Sequence, residues 1–402
     1  MAKTLVRSLT FGYSKGLDFL LEFLSSGMQK LAQRISSILD ANFGRLSEGL
    51  RVLEDMARFI LRDSKITKKL KEMRHSLLAE SRPFDLEFLN SRGEDIGASL
   101  FAADESKREN FCDLVIANAK RAEESLRVLE EYFKFLKILS WRKFQDNRFL
   151  LYNIEREIVS RFLRQEKTKK LFPLYIILDA KYFEKRNPVE LLKKVISGGA
   201  KAVQIRDKIN NKFLFRKNQV FIPKFRNKES EIKNKNKILE TALKLKEICQ
   251  KANVLFLVND YVDIALAVDA DGVHLGKDDL PISAVRKILP FDKIIGSSVH
   301  NLKEAKKAEK EGADYLSIGA IYPTLTKENA VLVKPSLIRE IKDRVSLPII
   351  AIGGINKNNL DEVMKFGVDG IAVAKAALDK PNPKTAVKGI LSKLNNYFSK
   401  KI

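Results

Sequence analysis

The chain has 402 residues, with 74 Lys and Arg against 51 Asp and Glu, for a formal net charge of +23. Its 45% hydrophobic and 31% charged residues are those of an ordinary globular protein, long enough for two or three domains with buried cores. No apolar run approaches the ~18 residues of a membrane span, and no small-residue cleavage site follows an apolar stretch near the start. Two distant cysteines, Cys112 and Cys249, exclude a disulfide scaffold and a Cys-based zinc site, and fit a reducing cytoplasm.

Residues 1–33 carry no pattern that assigns them a role. From 34 to 165 strand signals are absent and the periodicity is helical, with an internal repeat. Asn42-Phe-Gly-Arg45-Leu-Ser-Glu48-Gly-Leu50-Arg51-Val52-Leu53-Glu54-Asp55 matches Asn118-Ala-Lys-Arg121-Ala-Glu-Glu124-Ser-Leu126-Arg127-Val128-Leu129-Glu130-Glu131 at a constant offset of 76. Leu39, Leu46, Leu50, Leu53, Ala57 and Ile60 map onto Val115, Ala122, Leu126, Leu129, Phe133 and Leu136. Spacings of three and four put each set on one helical face, so the repeat predicts two equivalent helices packed together. Asn42, Arg45, Asn118 and Arg121 flank that apolar stripe and are candidates for a shared pocket. The alternative for such residues is helix-surface pairing, as of Arg51 with Asp55 four residues on. The Lys- and Arg-rich stretch 156–170 is expected to lead into a linker before Pro173.

From about residue 171 the pattern changes. Short apolar runs at 174–178, 202–205, 254–258, 272–275, 294–299, 315–321, 348–352 and 370–374 alternate with amphipathic stretches such as 301–312 and 356–366. Eight buried-type strands, each followed by a helix, predict an α/β domain over 171–402, a closed (β/α)8 TIM barrel preceded by the all-α domain. An open doubly wound sheet is the alternative, but no GxGxxG follows the first strand. Between 208 and 237 lie ten Lys or Arg, six Asn and two acidic residues. About a third of the excess charge therefore sits in one stretch, read as a basic, solvated insertion at 209–237. An RNA-binding arm is the alternative, and no pattern of stacking aromatics accompanies it.

In a parallel barrel, chemistry gathers at the carboxyl ends of the strands. Gln204, Arg206, Asp207 and Lys208 follow the second strand, and guanidinium and ammonium groups there suit a phosphorylated ligand. Asn259 and Asp260 end the third strand and Asp279 follows the fourth. Carboxylates from neighbouring strand ends can share Mg²⁺, which takes one or two carboxylates plus substrate phosphate oxygens; capping of the next helix is the alternative role. Ser298 ends the fifth strand. Thr324, Thr326 and Lys327 follow the sixth and can hold a phosphate. Gly353-Gly354 after the seventh strand exposes backbone N–H groups, and Ala374 and Lys375 end the eighth, at the usual phosphate site of such barrels. His75, His274 and His300 leave little room for imidazole catalysis, and His274, mid-strand in Gly-Val-His-Leu-Gly, reads as core. Cations, a metal pair and no evident nucleophile suit heterolytic loss of a metal-bound diphosphate, with a second phosphorylated molecule placed to attack.

Taken together, Gln204-x-Arg206-x-Lys208, Val258-Asn259-Asp260, Gly272-Val273-His274-Leu275-Gly276 with Asp278-Asp279-Leu280-Pro281, Gly296-Ser297-Ser298, Pro323-Thr324-x-Thr326-Lys327 and Ala351-Ile352-Gly353-Gly354-Ile355 resemble thiamine-phosphate synthase over 171–380. The resemblance implies coupling of hydroxymethylpyrimidine diphosphate with a phosphorylated thiazole or carboxythiazole, through a pyrimidine-methyl cation, to give thiamine phosphate and diphosphate. It implies that Gln204, Arg206, Asp207, Lys208, Asn259, Ser298 and Lys327 hold the pyrimidine diphosphate, with Arg206, Lys208, Ser298 and Lys327 catalytic. Asp260 and Asp279 would take Mg²⁺, and Thr324, Thr326, Gly354, Ala374 and Lys375 the thiazole phosphate. Asp207 stands where the family usually has Glu, Lys375 where it has Ser, and the insertion replaces a short connection. A thiazole tautomerase, a related barrel, would lack the Asp pair or the Lys of Thr-x-Thr-Lys, and this chain has both.

Residues 34–160, with the repeat and Arg92-Gly-Glu-Asp95-Ile96-Gly97, resemble a domain fused ahead of some thiamine-phosphate synthases and proposed as a hydroxymethylpyrimidine-phosphate kinase. That implies ATP as a co-substrate, although no GxxxxGK[ST] loop occurs. A non-catalytic dimerisation module is the alternative. The expected partners are small phosphorylated substrates and, in the dimerisation reading, a second copy of the chain, with neither membrane nor nucleic acid.

Overall fold

The computed structural model describes residues 29–84, 108–207, 228–324 and 332–399. The chain divides into two compact units, Met1–Phe162 and Leu163–Ile402.

In the first unit, α1 (Gln29–Asp55) runs through a π-helical turn (Met56–Ile60) and is followed by α2 (Ser64–Leu78); α3 (Phe111–Phe135) is followed by α4 (Trp141–Lys169). The 156–170 stretch is helix up to Lys169, and residues 170–173 connect it to the strand that begins at Leu174. Its Glu, Arg, Lys and Gln residues are good helix formers, and Ile158 and Phe162 are buried on one face. As the repeat predicts, α1 and α3 pack together, and Leu39, Leu46, Leu50, Leu53 and Ala57 are buried with Val115, Ala122, Leu126, Leu129, Phe133 and Leu136. Gly49 permits the close approach: a Cβ there would lie 2.7 Å from the Asn118 carbonyl oxygen. Ile60 departs from the pattern and is 46% exposed, because the wider π-turn rotates the stripe away after Met56.

The repeat also reaches beyond its sequence motif. Glu54 is buried and accepts from Arg74 Nε and Nη2 on α2 at 3.1 and 3.0 Å. Its equivalent Glu130 is fully buried and accepts from Arg148 Nη2 on α4 at 3.0 Å. Both repeat helices thus bury a carboxylate at this equivalent position, and the helix after each supplies the guanidinium that neutralises it.

In the second unit the eight strands are β1 (Leu174–Asp179), β2 (Ala202–Arg206), β3 (Leu255–Asn259), β4 (Gly272–Leu275), β5 (Ile294–Val299), β6 (Tyr315–Ile318), β7 (Ile349–Ile352) and β8 (Gly370–Val373). All pairs are parallel and β1 joins β8, closing the barrel. All eight strands read from the sequence are present, within one to three residues at each end. The helices between them include α5 (Pro188–Ser197), α6 (Lys228–Lys251), α7 (Val262–Ala267), α8 (Ile282–Ile288), α9 (Leu302–Glu311), α10 (Pro335–Lys342), α11 (Leu360–Lys365), α12 (Lys375–Leu378) and α13 (Pro383–Ser399). The expected amphipathic stretches at 301–312 and 356–366 contain α9 and α11. Asn301 caps α9 by accepting from Glu304 N at 2.8 Å, and Gly312, at φ +96°, ends it. Helix α6 begins at Lys228, so the last ten residues of the basic stretch belong to the crossover helix; 208–227 lie outside the described residues.

Successive side chains on a strand alternate between barrel interior and helix-facing surface. The helix-facing set, with Ile176, Val203, Phe256, Val273, Ile295, Leu316 and Ile349, joins the core under the helices. The interior set begins with Tyr175, Ile177, Ala202, Leu255, Leu257, Ile294, Tyr315, Ile350 and Ala372. Towards the carboxyl ends it becomes polar, with Asp179, Gln204, Arg206, Asn259, His274 and Ser298. At the opposite rim a carboxylate precedes β4, β6 and β8. Asp271, Asp314 and Asp369 accept from Phe256 N, Ile295 N and Ile349 N at 2.8, 2.7 and 2.8 Å. Asp314 also accepts from Arg164 Nε and Arg286 Nη2 at 2.8 and 2.5 Å.

Candidate functional site

A cavity of about 1370 Å³ opens at the carboxyl ends of the strands. Gln204, Arg206, Asn259, Asp260, Asp279, Ser298, Thr324, Gly354, Ala374 and Lys375, all read from the sequence as site residues, line it. Lys208, Thr326 and Lys327 lie outside the described residues.

Asp207, half-buried one residue beyond β2, is not among the described residues lining the cavity. Gln204 and Arg206 alternate onto the interior face of β2. Arg206 is neutralised within the site, its Nη1 donating to the buried Asp179 carboxylate. Gln204, 1% exposed, accepts from Tyr175 Oη at 2.6 Å and donates from Nε2 to Asn259 Oδ1 at 2.5 Å. Asn259 Nδ2 is buried without a partner, an orphan donor on the cavity wall.

Asp260 leaves the end of β3 in the left-handed region at φ +62°, where Asp is tolerated better than most residues. Its N–H donates to the His274 carbonyl at 2.9 Å, holding it at the rim. Asp279 Oδ2 accepts from Gly276 N at 2.6 Å, and Asp278 beside it is exposed. Among the described residues no group of three or more His, Cys, Asp or Glu side chains gathers for a metal. Two rim carboxylates with further oxygens drawn from a substrate are the donor set that Mg²⁺ accepts and that a closed all-protein zinc or calcium site is not.

On the far side, Gly353 and Gly354 take φ +97° and +64°. A Cβ on Gly354 would lie 2.7 Å from the Pro323 carbonyl oxygen, so the turn fits only glycine there. Its carbonyl accepts from Asn359 Nδ2 at 3.0 Å. Lys375 is exposed at the cavity edge.

His274 is buried, as read, but it also lines the cavity. Its Nε2 lies 3.0 Å from Ser298 Oγ and its Nδ1 2.9 Å from Tyr315 Oη. Sequence reasoning missed Tyr175, Tyr315, Asp179 and this role of His274. They lie on β1, β4 and β6 and meet Gln204 and Ser298 only across strands, so counting along a single strand does not reach them. Burial drives the hydroxyl pKa of both Tyr175 and Tyr315 well up, so each keeps its proton.

In the helical unit, Asn42 and Asn118 are buried with their amides turned onto their own helices, donating to Ile38 and Leu114 carbonyls at 2.7 and 2.8 Å. Arg45 and Arg121 are exposed. Arg51 and Asp55 lie 3.6 Å apart as an exposed surface pair. Residues 92–97 lie outside the described residues. Glu123 stands out: Lys120 Nζ donates to its Oε2 at 2.8 Å and lies 3.6 Å from Glu155 Oε2, while Glu123 Oε1 is buried without a partner. Burial above all, with the nearby Glu155 charge, pushes its carboxyl up to about 7 despite Lys120.

Comparison with known proteins gives two family matches, thiamine monophosphate synthase over residues 174–377 and the ThiD2 family over residues 37–157. A thiamine-phosphate synthase of Prochlorococcus marinus subsp. pastoris is 33% identical over 366 residues, covering 90% of this chain and 96% of that protein. One of Synechocystis sp. is 36% identical over 364 residues, with the same coverage. Among solved structures, a thiamine phosphate pyrophosphorylase from Pyrococcus furiosus is 35% identical, covers 58% of this chain and 98% of its own, and has a TM-score of 0.46.

Proposed function

The chain belongs to the thiamine-phosphate synthase family, and we propose that its barrel joins a pyrimidine methyl diphosphate to a thiazole phosphate. The carbon–oxygen bond to the diphosphate breaks with both electrons leaving on oxygen, and the thiazole ring nitrogen forms the new bond to carbon. Diphosphate and thiamine phosphate are the products. The observation that carries this reading is one cavity lined by cations, amides, two hydroxyls, a carboxylate pair and a glycine turn, drawn from the ends of β2 to β8.

In this reading Gln204 and Asn259 anchor the pyrimidine diphosphate, with Arg206 held in line by Asp179. Ser298 donates to the departing oxygens, joined by Lys208 and Lys327. Thr324, Thr326, the Gly354 backbone, Ala374 and Lys375 receive the thiazole phosphate. Asp260 and Asp279 are the residues that would hold Mg²⁺, which when bound neutralises charge building on the diphosphate. The closed wall of Tyr175, Ile177, Ile352 and Ala372 beneath limits water, so that the thiazole rather than a hydroxide captures the carbon.

Asp279→Ala and Asp260→Ala should each lose turnover at ordinary Mg²⁺ concentration. Near-normal turnover in either would overturn the metal assignment. The chemistry also suits a reducing cytoplasm, where both cysteines stay free thiols.

For the helical unit, the ThiD2 match supports a kinase that phosphorylates the pyrimidine phosphate with ATP, over the reading as a dimerisation module. Full-length chain given ATP and hydroxymethylpyrimidine phosphate, with no thiazole, should release ADP, a product the synthase reaction does not make. No ADP would favour the module.

A further inference from the structure

Asn259, His274, Gly296 and Tyr315 form one row across four neighbouring strands, each the register partner of the next. Gly296 in the middle is a gap. A Cβ there would lie 2.1 Å from Tyr315 Cζ, 2.3 Å from its Oη and 2.5 Å from His274 Nδ1. The glycine therefore exists where two side chains meet across it, and what meets is a phenol and an imidazole nitrogen 2.9 Å apart.

The direction of that bond follows from the partners. Among the described residues Tyr315 Oη has one other hydrogen-bond neighbour, Tyr175 Oη at 3.5 Å, too long for a strong bond. Tyr175 spends its proton on Gln204 Oε1 at 2.6 Å. The acceptor within good reach of the Tyr315 proton is His274 Nδ1. A ring nitrogen that accepts leaves the proton on the other one. His274 is then the Nε2–H tautomer and donates to Ser298 Oγ, so the Ser298 proton is not used on the imidazole and is free to point into the cavity.

The second tyrosine does the same by another route. Tyr175 donates to Gln204, Gln204 Nε2 donates to Asn259 Oδ1, and the Asn259 Nδ2 donor ends the chain with no partner in a buried position. A buried donor without an acceptor is costly and is retained where a ligand completes it.

We propose that Tyr315, through His274, and Tyr175, through Gln204, are positioning residues that root two one-way donor relays, fixing the Ser298 hydroxyl and the Asn259 amide as hydrogen-bond donors aimed at the anionic leaving group. This rests on the assignment of Ser298 and Asn259 to the diphosphate made above. Both relays start at a phenol buried in the barrel interior. Two fixed donors then await the charge that develops on the leaving oxygens, with no reorganisation needed at that moment.

The chain has three histidines, which makes the test direct. With ¹⁵N-labelled histidine in the full-length chain at pH 8 and no substrate, the resonance pair missing from His274→Gln should show the Nε2–H tautomer. Tyr315→Phe should mix or invert that tautomer, lower kcat about tenfold and change KM for the pyrimidine diphosphate far less. Gly296→Ala should disturb the same resonances by wedging the pair apart. A wild-type His274 with its proton on Nδ1 would overturn the proposal without any variant needing to fold, and so would unchanged kcat in a folded Tyr315→Phe. If instead the functional reading is wrong, the wild-type chain fails to turn over while the tautomer stands as stated.

Discussion

Replacing Glu123 by Gln tests the electrostatics of the helical unit. The carboxyl is 4% exposed, one oxygen has no partner, and its Lys120 partner is shared with Glu155. Its pKa rises from 4.5 to about 7 in the folded chain. A carboxyl raised on folding binds its proton more tightly in the native state, so stability is greatest below the unfolded value and falls as pH climbs through the folded one. At about 1.4 kcal/mol per pH unit, the loss between pH 4.5 and 7 is on the order of 3 kcal/mol. Gln keeps the shape and has no charge to desolvate, but it gives up the charge-assisted bond to Lys120, about 1 kcal/mol. The variant should therefore match wild type near pH 5 and exceed it by about 2 kcal/mol at pH 8. Trp141, the chain's single tryptophan, starts α4 and reports unfolding of this unit by fluorescence. The urea midpoint should rise by about 1 M at pH 8, given a typical slope for a unit of this size. A difference that does not change between pH 5 and 8 would refute the reasoning.

Three further outcomes follow from packing and burial. Asp314→Ala strips a shared acceptor from Arg164, Arg286 and the Ile295 N–H and should cost about 3–5 kcal/mol in the barrel unit, measured by denaturant unfolding followed by circular dichroism. Phe133→Ala opens the aromatic cluster where its ring centre lies 4.6 Å from that of Phe144 and 6.2 Å from that of Phe43; a loss of about 3–5 kcal/mol read by Trp141 fluorescence is expected. Burial pushes the Cys249 thiol up to about 12, so native chain treated with iodoacetamide at pH 8 should be alkylated at the partly exposed Cys112 and spared at Cys249, with mass spectrometry counting two adducts only after denaturation.

The barrel was legible because each strand is a short apolar run between turns, a pattern that fixes closure and places Asp260, Asp279, Ser298 and Gly354 on one rim before any coordinates. What escaped were contacts that depend on which face of a strand a residue takes and on cross-strand register. Tyr175 and Tyr315 sit in apolar runs and read as core, and only the register that brings Tyr315 beside Gly296 and His274 makes their hydroxyls part of the site. The helical repeat was legible as a motif, but Ile60 ends a π-turn that no spacing rule signals. The arginines that neutralise Glu54 and Glu130 lie 20 and 18 residues downstream, beyond the reach of a periodic count.

The repeat also bears on where chemistry proposed for the helical unit would sit. Duplicated helices that only pack would keep equivalent polar positions, and Glu54 and Glu130 do so, each answered by an arginine. Lys120 and Glu123 break the rule, because Gly44 and Ser47 occupy the corresponding positions. Their cluster with Glu155 therefore belongs to one half alone and is not required by the two-fold packing. It also carries the half-satisfied carboxyl that folding alone would select against. A destabilising group that the duplication itself does not demand is a stronger pointer to chemistry in this unit than Asn42 and Asn118, whose buried amides are satisfied on their own helices in both halves alike.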